Sequence, residues 1–105
     1  MHHVAEALGA TTEFIIPEAA RARAAAYVIA AAEGAALHLD RLRTMPDAFD
    51  PDVRDRLIAG LAIPAHWVAR AQRFRRWYQG QVASLFETVD IVLAPATPVR
   101  APLLG

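Results

Sequence analysis

The sequence predicts an α/β chain that is mainly helical, with three helices and two strands of the kind buried inside a sheet. Two observations carry this. Apolar residues recur every three or four positions over 19–43, 51–60 and 64–86. Two short β-rich runs, TTEFIIP (Thr11–Pro17) and VDIVLAP (Val89–Pro95), each stop at a proline. The 105 residues are expected to form a single, partial domain, 1–105, without a repeat, linker or internal boundary.

The elements follow in order. VAEALGA (Val4–Ala10) reads as the closing turns of a helix ended by Gly9. The first strand is expected at 12–16. From Glu18 to Arg43 the pattern is helical, and Ala24–Ala32 is apolar around the whole circumference, the mark of a helix enclosed by other elements. TMPDAFD (Thr44–Asp50) is a loop, and Asp50-Pro51 supplies an N-cap and a proline at the first helical position. The short helix that follows shows Val53, Leu57 and Leu61 at four-residue spacing. Pro64 opens a longer helix with the stripe Trp67, Ala71, Phe74, Tyr78, Val82 and Leu85, opposite Arg70, Arg73 and Arg76. The second strand is expected at 90–94. Ile91-Val92-Leu93 lacks alternation, so it calls for neighbours on both edges and cover on both faces. Two strands cannot supply that. Most of the sheet lies elsewhere, and an isolated chain is expected to associate with itself or with a missing portion.

Composition narrows the chemistry. The formal net charge is +0, so no global field favours nucleic acid or anionic lipid. Cysteine is absent, which excludes a disulfide framework, a thiol nucleophile and a thiolate metal site. All eleven basic residues are arginines and Ser84 is the single serine, so a mechanism needing a lysine or two serines cannot be completed here. The aromatic and basic residues of AQRFRRWYQG (Ala71–Gly80) read as an amphipathic helix rather than a nucleic-acid surface. His38 and His66 lie on different helices without ligand spacing, so no metal is expected, and no cofactor either. No export signal is visible at Met1-His2-His3, and the apolar window Ala22–Leu39 contains Arg23, Glu33 and His38, so a cytoplasmic protein without a membrane span is expected.

Three residues stand out as site candidates. Glu33 lies inside the most apolar helix, where a buried acid must be paired or hydrogen-bonded, and it is expected to be a structural buried acid. Ala96 and Thr97 follow the carboxyl end of a predicted central strand, where α/β sheets place ligands. The Thr97 hydroxyl either lines a pocket or caps its turn.

Four pieces in this order resemble the amidase-signature hydrolases. They are AAYVIAAAEGAALHLDRLR (Ala25–Arg43), the FDPDVRDRLIAG helix from Phe49, the AQRFRRWYQGQVASLFETVD helix, and the strand VDIVLAPATP. The resemblance spans roughly residues 5 to 105, fits the C-terminal third of that family, and in wording is nearest to the branch of carboxybiuret and related ureido-amide hydrolases. It implies a mixed-sheet fold, hydrolysis of a small amide by a serine with a second serine and a lysine, and a Gly/Ser-rich loop for the oxyanion. None of those catalytic residues can be placed on this sequence. The chain would then be a structural and pocket-wall piece, inactive alone, with Ala96 and Thr97 on the wall. The alternative is a free-standing, non-catalytic helical interaction domain.

Overall fold

The computed structural model describes residues 2–10, 12–97 and 99. Among them are the helices α1 (His2–Ala7), α2 (Ala19–Thr44), α3 (Pro51–Leu61) and α4 (Ala65–Ala83), with 3-10 turns at Pro46–Ala48 and Ser84–Glu87. Local chemistry sets their ends. Gly9 takes the left-handed conformation, φ 67°, while the Ala10 N–H donates to the Ala5 carbonyl at 2.9 Å, closing α1. The Asp50 carboxylate accepts from the backbone N–H of Asp52 at 3.0 Å and of Val53 at 3.4 Å, which starts α3 behind Pro51.

Helix α2 is the spine, and α3 and α4 each pack against it. The buried apolar side chains are few: Ile29, Ala35 and Leu42 on α2, and Ala71 on α4. The α2–α3 crossing depends on Gly60. A methyl group there would run into the Ala31 carbonyl and sit 2.9 Å from the Ala35 Cβ. Gly60→Ala is therefore expected to lower the urea midpoint of the helical circular-dichroism signal, at a cost of about 1–3 kcal/mol for overpacking. An unchanged midpoint would show that the helices do not approach so closely. The same crossing corrects the expected α3 stripe. Leu57 and Gly60 face inward, whereas Val53 and Leu61 stay about half exposed, because the smallest residue decides which face can approach α2.

Two further expectations fail on the same physical point. The strands at 12–16 and 90–94 are not formed. Residues 12–16 and 91–95 run without helix, turn or bend, and no backbone hydrogen bond joins either run to another described segment. The residue types suit a strand, but a ladder needs a partner, and none of the described residues provides one. Nor is α2 enclosed: α3 and α4 cover one side, leaving Tyr27 66% and Leu37 79% exposed on the rest.

The consequence is a thin, open shape of 53 × 40 × 18 Å with a radius of gyration of 18.3 Å. A compact chain of this length has a radius near 13 Å. The exposed area is 8917 Å². A compact monomer of 11.4 kDa would show only about 5800 Å².

Candidate functional site

The two straight runs line a concavity. Residues 12–16 form one wall and 88–95 the other, with Ala5 and Leu8 at one side. It has a volume of about 1160 Å³. Phe14, Ile15, Ile91 and Leu93 are all exposed, Ile15 at 93% and Ile91 at 75%. A largely apolar cleft whose walls carry N–H and C=O groups without backbone partners among the described residues can do two things at once: bury side chains and complete a hydrogen-bonded ladder. The sequence pointed to both walls but missed Leu8, whose signal was its place beside the helix-ending Gly9.

The expected site residues fall outside this cleft. Ala96 and Thr97 lie just past its end at Pro95, both exposed, and the Thr97 hydroxyl donates to the Val99 carbonyl at 2.8 Å. That contact has the form of a turn cap. Glu33 is not buried. Its carboxylate accepts a 3.3 Å hydrogen bond from Gln72 Nε2, tying α2 to α4. The reason is again the missing cover: an apolar local sequence buries a residue only if something packs over that face. Among the described residues no charged or polar side chain is buried.

The remaining chemistry-bearing groups are dispersed. Ser84 Oγ donates to the Gln81 carbonyl at 2.8 Å, closing the end of α4. Phe74 stacks on Tyr78 with ring centres 5.8 Å apart, and Arg21 of α2 lies 5.0 Å over the Phe74 ring. Phe74 thus packs toward α2, whereas Trp67 and Trp77 of the same helix stay 53% and 48% exposed. No group of three or more His, Asp or Glu side chains with metal-binding geometry occurs among the described residues. No helix among them is long and apolar enough to cross a membrane.

No family profile matches the chain. It is 51% identical over 98 residues to AtzE, a 1-carboxybiuret hydrolase component of Pseudomonas sp. (strain ADP), a match that covers 93% of this chain and 21% of that protein. It is 34% identical over 73 residues to an amidase of Pseudomonas putida, covering 70% of this chain and 16% of that protein. Against a glutamyl-tRNA(Gln) amidotransferase component of Akkermansia muciniphila it is 31% identical over 126 aligned positions, with 95% and 27% covered. Two solved structures, described as a vestigial protein complex that reveals the evolutionary origins of an s-triazine catabolic enzyme, superpose with a TM-score of 0.86 at 50% identity. One of them is bound to an inhibitor. Each superposition takes in 96% of this chain and 22% of the other. The chain therefore spans about a fifth of the length of these relatives. At half identity with the backbone course retained, it is a segment-length relative of the amidase-signature hydrolases.

Proposed function

We propose that residues 1–105 act as the structural and pocket-wall segment of an amidase-type C–N hydrolase. In the complete enzyme a small amide would be cleaved by a serine-based mechanism whose nucleophile and base lie outside these residues. The observation that carries the reading is the 51% identity over 98 residues with a hydrolase component. The open shape and the bare straight runs support it, since both are what a slice of a larger sheet protein leaves behind. In this reading α2, α3 and α4 cover the sheet. Ala96 and Thr97, at the end of the second run, form part of a pocket wall that residues beyond 1–105 complete. The vestigial complex of the structural neighbours supports association with further polypeptide as the chain's working condition.

The test is a graft. Residues 5–99 replace the matching segment in the Pseudomonas 1-carboxybiuret hydrolase protein, and hydrolysis is compared with the parent's. The graft is expected to fold and to keep kcat/KM within about tenfold, a loss of no more than roughly 1.4 kcal/mol in transition-state stabilisation. A graft that does not fold, or that folds and leaves the parent's substrate intact, overturns the proposal.

A further inference from the structure

Where α4 packs against α2, the two helices leave a groove of about 320 Å³ that shares no residue with the cleft at 12–16 and 88–95. Small side chains, Ala25 and Ala71 among them, keep it open, and Trp67 and Phe74 supply aromatic surface. Each helix adds one arginine, Arg21 from α2 and Arg70 from α4. On α4 the four contributors 67, 70, 71 and 74 share one face by their i, i+3, i+4, i+7 spacing. No acidic side chain among the described residues lines the groove. The chain's formal net charge is +0, yet over Ala65–Ala83 the charged residues are Arg70, Arg73, Arg75 and Arg76, without an Asp or Glu. None of these arginines has an acid within ion-pair distance among the described residues. The groove therefore sits in a locally positive field.

We propose that this groove binds a small, planar aromatic carboxylate. Its ring stacks on Trp67, an indole left 53% exposed, beside Phe74, and its carboxylate is held between Arg21 and Arg70. A guanidinium fork matches a planar carboxylate through two parallel N–H···O bonds. Arg21 is already placed, 5.0 Å over the Phe74 ring. One of its nitrogens donates to the Glu18 carboxylate at 3.1 Å, which leaves further donors for a ligand. A bare anion would leave the indole in water, and a neutral ring would leave Arg70 without a counter-charge. One molecule carrying both groups answers both needs. The groove lies at the small end of the range for ligand pockets. It suits a ring with one acid group, whereas a nucleotide, with sugar and phosphate beyond its ring, would extend past it.

Titration of the 105-residue chain with benzoate tests the site, because the sequence has two tryptophans and Trp77 is not among the groove residues. The two indole N–H resonances are followed by nuclear magnetic resonance and assigned with Trp77→Phe. The Trp67 signal is expected to shift saturably, with a Kd on the order of 1 mM, while that of Trp77 stays in place. Arg21→Gln and Arg70→Gln should each weaken binding about tenfold with helical circular dichroism retained. Benzyl alcohol, which lacks the charge, should bind at least about tenfold more weakly than benzoate. Cyclohexanecarboxylate, which lacks the planar ring, should bind several-fold more weakly. Equal shifts of both indoles, or benzyl alcohol bound as well as benzoate, would reduce the groove to an unspecific apolar surface and overturn the site. Unchanged affinity in Arg70→Gln overturns it as well. Tighter binding of AMP than of benzoate would assign the groove to nucleotides and refute the proposal. A chain without a helical signal has no such groove, and that result also refutes it. The titration needs no other polypeptide, so none of these outcomes bears on the amidase reading.

Discussion

The purified 105-residue chain is expected to hydrolyse no amide, ureido compound or ester above background. A serine becomes a useful nucleophile only when a neighbouring base takes its proton and donors stabilise the oxyanion that forms. Ser84 is the single serine, and its hydroxyl is engaged with the Gln81 carbonyl at 2.8 Å, which cannot act as a base. No lysine exists in the sequence to serve in its place. Enzymes typically accelerate such reactions by a factor of roughly a million or more, so the expected loss is the whole effect. Ammonia release from a panel of small amides would measure it, with Ser84→Ala as the control. Turnover that survives further purification and vanishes in Ser84→Ala would show a catalytic site that the geometry does not contain.

Helix positions were legible in the sequence because their causes are local. Asp50-Pro51 starts one helix and Gly9 ends another, each through contacts within a few residues. The expected ranges 19–43 and 51–60 accordingly fall within one residue of Ala19–Thr44 and Pro51–Leu61. The third, 64–86, divides into Ala65–Ala83 and the turn Ser84–Glu87. The strands were not legible in the same sense. Ile91-Val92-Leu93 announces the wish for a ladder, but a ladder is a property of two segments, and the second is not among the described residues. Glu33 failed for a related reason. The alanines around it suggest burial, yet the described residues that pack on α2 leave Glu33 exposed, hydrogen-bonded to Gln72 of α4. The resemblance to amidases was readable because it rests on the order and spacing of four pieces rather than on contacts. A pocket wall is defined by what stands opposite it, which for the proposed wall at Ala96 and Thr97 is not among the described residues.

In isolation the chain is expected to self-associate through residues 91–93 and to bind hydrophobic dyes, while its helices remain formed. Fully burying one Ile, Leu or Val side chain is worth roughly 1.5–3 kcal/mol. Only two such large side chains, Ile29 and Leu42, are buried among the described residues, whereas Ile15, Ile91, Leu37 and others face solvent. Typical domains retain a net stability of about 5–15 kcal/mol, so this core is small against the entropy of ordering the chain. The straight run beside Ile91 adds unpaired N–H and C=O groups to an apolar surface, the combination that favours edge pairing between copies. Pairing there would satisfy the backbone and cover the side chains together. Ile91→Lys places a charge in the contact and should shift the sedimentation distribution toward monomer, with little change in helical circular dichroism, because Ile91 lies outside every helix. Substitution at Leu37, also exposed but on a helix whose backbone is already satisfied, should have a smaller effect. A monodisperse monomer with a sharp melting transition independent of concentration would refute this expectation. It would mean that the chain covers its own runs and would favour a free-standing interaction domain over a segment of an amidase.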